Sequence, residues 1–191
     1  KLRIAEQLDW LGVDYIEAGW PGANPKDDEF FRRAPNELKL VRSRLTAFGS
    51  TRRPLGKVDT DDTLRKLIES GTESVCIVGK CWDYHVEGAL NTTLDEGVAM
   101  VADSVAFLHG EGREVLFDAE HFFDGYRHNP EFSLRVLEAA VTAGVSTLVL
   151  CDTNGGSLPP DVEQTVRDVV GYFDVPVGVH LHDDAGCGVA N

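Results

Sequence analysis

Apolar positions along this chain alternate between a helical rhythm and a strand rhythm. Leu2, Ile4, Ala5, Leu8 and Leu11 recur at helical spacing, and Gly12 closes the run. Residues 13–19 then read as a short strand, and residues 20–25 as a loop of turn formers. A polar helix is predicted over 26–41, anchored by Phe30 and Phe31, followed by a strand over 45–51. A helix over 59–70, with Asp and Thr as caps and Gly71 as its stop, leads to a strand over 74–80. The next helix runs over 94–109 and the next strand over 114–121. Pro130 opens a helix that Gly144 ends, and residues 146–153 form the fifth strand. A last helix spans 159–172, and the sixth strand starts at Val175.

Strand, loop and helix thus repeat about every 30 residues, which demands a parallel sheet with right-handed crossovers. An open doubly wound sheet and a (β/α)8 barrel both fit that alternation. No Gly-x-Gly-x-x-Gly follows the first strand, which counts against a dinucleotide-binding open sheet. Polar residues instead gather at strand carboxyl ends: Glu17, Ser50, Lys80, Glu120, Thr153, His180 and His182. Convergence from many strand ends is the barrel layout. The expectation is therefore one α/β domain over 1–191, a TIM (β/α)8 barrel incomplete here. About six units are present, with the first and last strands missing.

Charge narrows the partners. The 18 basic and 32 acidic residues give a formal charge of −14, which excludes a general binder of nucleic acid or anionic membrane. No apolar run approaches the roughly 20 residues of a membrane span, and the first residues read as helix rather than leader. Four scattered cysteines imply a reduced, cytoplasmic protein.

The sixth strand carries the sharpest chemistry. His180 and His182 project from one side, while Val175, Val177, Val179 and Leu181 share an apolar other side. Two imidazoles aimed into one pocket either bind a divalent metal with added oxygen ligands or form a hydrogen-bonded pair. Cys187 is either a further ligand or, in its Gly-Cys-Gly setting, a small residue in a tight turn. Parity puts Glu120 on one face with Asp118 and Leu116, and Thr153 on one face with Cys151 and Val149.

Five segments together resemble a known family: 15–22 with Gly-Trp-Pro-Gly, 47–53, 117–126 with Glu-His-Phe-Phe-Asp-Gly-Tyr, 151–156, and 180–184. They are similar to the acyl-CoA metallolyase barrels of 2-isopropylmalate synthase, homocitrate synthase and hydroxymethylglutaryl-CoA lyase, in particular the citramalate synthase branch. The resemblance implies a divalent metal (Mg, Mn, Zn or Co) held by His180 and His182, and acetyl-CoA as co-substrate with a 2-oxo acid, pyruvate foremost. It implies Glu120 as the catalytic carboxylate, Thr153 as the hydroxyl that binds the substrate carboxylate, and Glu17 as an organiser of the site. His121, Lys80 and Arg52 serve either the coenzyme A phosphates or plain solvation. Asp183 stands where the family commonly has Asn, and the family's first-strand aspartate ligand and arginine are absent. The activity implied is acyl transfer by a Claisen-type condensation in a homodimer. The alternatives are isopropylmalate or homocitrate synthesis, or an inactive metal-binding barrel fragment.

Overall fold

The computed structural model describes residues 1–191. Its six strands are β1 (Tyr15–Glu17), β2 (Arg44–Ser50), β3 (Ser74–Lys80), β4 (Glu114–Glu120), β5 (Thr147–Asp152) and β6 (Val177–Leu181). They form one parallel sheet in chain order, each strand bonded to the next. An order that never reverses has no switch point, so the doubly wound alternative falls. The sheet curls instead. Tyr15 on β1 donates its hydroxyl to Glu114 on β4 at 2.7 Å, though three strand spacings in a flat sheet would be about 14 Å. The result is part of a barrel, with its helices packed outside.

The helices are α1 (Leu2–Leu11), α2 (Pro25–Glu37), α3 (Asp62–Glu69), α4 (Asp83–Gly88), α5 (Leu94–Gly110), α6 (Phe122–His128), α7 (Pro130–Thr142) and α8 (Pro159–Tyr172). Their starts follow local chemistry. Asn24, Asp61, Thr93 and Asn129 each accept a backbone N–H of the first turn, and Pro follows Asn24 and Asn129 where no donor is needed. No helix is long and apolar enough to cross a membrane.

Alternation along each strand divides the sheet. Val75, Ile77, Val115, Phe117, Leu148 and Leu150 point outward and are fully buried beneath the helices. At about 25 cal/mol per Å2 of apolar surface, each such side chain contributes roughly 1.5–3 kcal/mol. Gly79 lets β3 pass close over this layer: a Cβ there would lie 2.7 Å from the Phe117 ring.

Three expectations need correction. The helix at 26 ends at Glu37, not near residue 41. Pro35 removes one helical donor, and the N–H groups of Val41, Arg42 and Ser43 turn to the Asp9 carboxylate instead. The helix expected from residue 59 begins at Asp62, because Asp61 caps it after a short turn at Val58–Thr60. The short helices α4 and α6 lie where loops were read, and each is fixed by distant contacts. Val86 of α4 packs against Gly97, and Gly125 of α6 abuts the Cys81 carbonyl.

The Asp9 staple yields a pH-dependent prediction. Its bonds from Ser43 and Arg42 at 2.7 and 2.8 Å, and from Val41 at 3.0 Å, hold the carboxyl pKa down at about 2. A depressed carboxyl stabilises the fold above its ordinary value of 3.8, and that gain is lost as pH falls toward about 2. Asp9→Asn lowers the urea midpoint at neutral pH, and its gap to the wild type narrows as pH falls through that window. Urea titrations at several pH values test this; a gap independent of pH contradicts it.

Candidate functional site

Polar groups of the inner face collect at the carboxyl ends of the strands. Lys80 on β3 and Glu120 on β4 are register partners and form an ion pair there, each about a quarter exposed. Just beyond, His121 takes a left-handed backbone with φ 56°, uncommon for a residue with a side chain. That turn aims the His121 N–H at Thr153 Oγ1, 2.9 Å away. The Thr153 oxygen thus accepts one hydrogen bond, and its own hydrogen is free to donate elsewhere.

β6 supplies the two histidines. Their rings face each other edge-on, 5.2 Å between centroids. His182 Nδ1 bonds the Thr153 carbonyl at 2.8 Å, which makes Nδ1 the protonated nitrogen and leaves Nε2 as the lone-pair donor. His180 Nδ1 lies 3.4 Å from Asp118 Oδ2. Asp118, Cys151 and His180 place their donor atoms all within 4.8 Å of one another. Asp183 accepts the Gly188 N–H at 2.6 Å, an acceptor role that an Asn oxygen would also fill.

Glu17 faces the same hollow from β1. It keeps solvent contact, yet the surrounding concave wall strips part of its hydration. That burial, and then the Asp118 carboxylate, raise its pKa, while His180 and the Cys76 thiol pull it down. Glu17, Asp118 and His180 therefore share one electrostatic neighbourhood, although β1 and β6 are opposite edges of the sheet.

The structure gathers Glu120, Thr153, His180, His182 and Glu17 on one concave face. Arg52 is not among them: it is buried, with its guanidinium bonded to Glu96 and Asp103 of α5. Its availability for phosphate is thereby corrected, since both carboxylates neutralise it behind the sheet. Lys80 is committed to Glu120. His121 packs edge-on against His85 at 4.3 Å, within a cluster with Trp82, rather than facing open solvent. Cys187 turns its thiol to the Ala185 carbonyl in the loop after β6. Asp118 and Cys151 are the residues that sequence reasoning did not single out. Their inward parity was the available signal, but their closeness to His180 depends on strand register. The donor set of imidazole, carboxylate and thiol fits a divalent cation.

Comparison with known proteins agrees with this architecture. The HMGL-like family model matches residues 1–191. The chain is 50% identical over 191 residues to an (R)-citramalate synthase of Streptomyces coelicolor, covering all of this chain and 36% of that protein. It is 33% identical over 195 residues to a 2-isopropylmalate synthase of Shouchella clausii, again covering all of this chain and 36% of the relative. The chain thus spans about a third of the length of these curated relatives. Among solved structures, an HMG-CoA lyase of Bacillus subtilis superposes with a TM-score of 0.76 at 20% identity, over 100% of this chain and 63% of that one. At that identity the likeness establishes the fold.

Charge crowding around Glu17 has a measurable sign. A carboxyl whose folded pKa is raised costs stability once pH exceeds its unfolded value, and costs nothing where both states are protonated. Glu17→Gln is expected to be more stable than the wild type at neutral pH and equal to it in acid, below the usual carboxylate range. Thermal unfolding across that range tests this, and a destabilised Gln variant at neutral pH contradicts it.

Proposed function

Because this chain belongs to the HMGL-like family, we propose that it carries a large part of an acyltransferase barrel that condenses acetyl-CoA with pyruvate to give citramalate. The observation that carries this choice is the difference in likeness: identity over the whole chain is half with a citramalate synthase and a third with an isopropylmalate synthase.

The inner-face residues suit the chemistry. Glu120 projects at the mouth with Lys80 fixing its orientation, and it takes a proton from the acetyl methyl group. The resulting carbanion attacks the carbonyl carbon of the 2-oxo acid, whose oxygen takes up a proton to become the product hydroxyl, and water then cleaves the thioester to a carboxylate and free coenzyme A thiol. Thr153, whose oxygen is held by the His121 N–H, donates its hydrogen to the substrate carboxylate. His180 and His182 would hold the divalent metal, with Asp118 beside them. A metal bound there supplies Lewis acidity toward the 2-oxo acid's oxygens. Glu17 adds negative charge that favours a cation in the hollow. The reading includes a homodimer in a reducing cytoplasm; the four cysteines are free in the fold.

Free-thiol release from acetyl-CoA by the full-length protein, across a panel of 2-oxo acids with added divalent metal, tests the proposal. Release with pyruvate is expected, abolished by His182→Ala. In Glu120→Gln the turnover rate is expected to fall by roughly 10^2–10^4. Release only with a bulkier or dicarboxylic 2-oxo acid would move the reading to isopropylmalate or homocitrate synthesis. No release with any acid would overturn it.

A further inference from the structure

The helix α4 stands directly behind the turn that follows β4. The Cys81 N–H, just past β3, donates to the Glu120 carbonyl at 3.1 Å, so the chain entering α4 is bonded to the end of β4. Contacts away from the hollow hold that segment in place. Ser133 donates to the Cys81 carbonyl at 2.8 Å, Asn129 donates to Asp83 at 2.7 Å, and Val86 is fully buried against Gly97. The His85 ring is left edge-on to the His121 ring, with centroids 4.3 Å apart. Trp82 backs both, at 4.8 Å from His85 and 5.8 Å from His121.

His121 needs such a support. Its left-handed backbone, φ 56°, costs free energy for a residue that carries a Cβ. Its Nδ1 is buried without a partner: the Asp124 carboxylate approaches to 3.5 Å without bonding it, and accepts Asn154 at 2.8 Å instead. Packing, not hydrogen bonding, therefore sets the place of the ring. The His85 Nδ1 is likewise buried and unpartnered. Burial first, then His121 and Lys80, lower the His85 pKa against the opposing pull of Glu120 and Asp124. His85 is therefore neutral at neutral pH, and no pair of like charges meets across the contact. The turn it supports has one output, the His121 N–H bonded to Thr153 Oγ1 at 2.9 Å. A hydroxyl that accepts on one side turns its hydrogen to another, so this N–H limits where Thr153 can donate.

We propose that His85 is a positioning residue for the condensation: through the His121 ring it locks the left-handed turn whose N–H orients the Thr153 hydroxyl toward the carboxylate of the 2-oxo acid. The proposal rests on the reading of Thr153 as the group that binds that carboxylate, and adds to it the residues that stand behind it. His85 acts through His121 and not on the substrate. Loss of the lock weakens the hold on the 2-oxo acid in ground state and transition state alike, so it shows in KM and leaves kcat in place. Acetyl-CoA makes no use of the locked hydroxyl, so its own KM does not move.

Steady-state thiol release by the full-length protein with added divalent metal tests this through a double-mutant cycle between His85 and Thr153. His85→Ala is expected to raise the KM for pyruvate roughly tenfold, with kcat and the KM for acetyl-CoA within about twofold of wild type. His85→Phe, which restores a planar ring, is expected to bring the pyruvate KM back to within about threefold. Thr153→Ala raises that KM by itself, and in its background His85→Ala is expected to add less than about twofold. Position 121 gives a second readout that leaves α4 untouched. His121→Asn, at home in left-handed backbone, keeps the pyruvate KM within about threefold, whereas β-branched His121→Val raises it roughly tenfold. An effect of His85→Ala that persists undiminished in the Thr153→Ala background overturns the proposal. So does a loss confined to kcat, a His85→Phe no better than His85→Ala, or equal behaviour of His121→Asn and His121→Val. Thiol release by the wild type with an uncoupled cycle rejects the positioning role alone. No thiol release with any 2-oxo acid rejects the enzymatic reading, and the positioning role with it.

Discussion

Hydrogen-bond register between neighbouring parallel strands is the constraint on which everything else here depends. A strand turns successive side chains to opposite faces, so a fixed register decides at once which residues meet the helices and which meet each other inside. On β4 it sends Val115, Phe117 and Ala119 outward to complete burial and Leu116, Asp118 and Glu120 inward. Stability is concentrated on the outer layer, where apolar area leaves water. The inner layer is released to carry charge, and a slip of one residue would exchange the two roles on a whole strand.

The inner layer then shows a graded electrostatic arrangement. At the amino-terminal end of the hollow, Tyr15 and Arg44 both engage Glu114 and tie β1 and β2 to β4. At the carboxyl end, Lys80 engages Glu120. Between these pairs Glu17 and Asp118 stand with little but the His180 imidazole for company. The fold thus neutralises the carboxylates around the hollow and leaves negative charge in its middle. Strain is placed similarly: His121 is bent into the left-handed region between the glutamate and threonine strand ends, and its N–H joins them. Cost borne at such positions is characteristic of sites shaped for binding rather than for stability.

Much of this was legible in the sequence because it is local or periodic. Six strands, their spacing and the inward parity of Glu120, Thr153, His180 and His182 follow from alternation alone, and the family resemblance rests on contiguous motifs. What the sequence hid depends on separations that no local pattern carries. Arg52 reads as a free cation at a strand end, but its partners Glu96 and Asp103 lie on α5, more than forty residues away. The helix α4 has no periodic face; Asn129 reaches back to Asp83 at 2.7 Å, and Gly97 receives Val86. Likewise Asp118 and Cys151 are unremarkable on their own strands, and only pairing with β6 sets them beside His180.

The in-order arrangement of strands also governs how such a chain can assemble. Each strand pairs with the next one made, so every closure spans about 30 to 40 residues, and loop entropy changes by only about 0.6 kcal/mol per doubling of length. No pairing has to wait for a distant segment, and each added strand and helix docks onto a surface already formed. The topology therefore favours growth by accretion from any adjacent pair. The cluster beside His180 forms only once two successive pairings are in place, since its donors span β4 to β6.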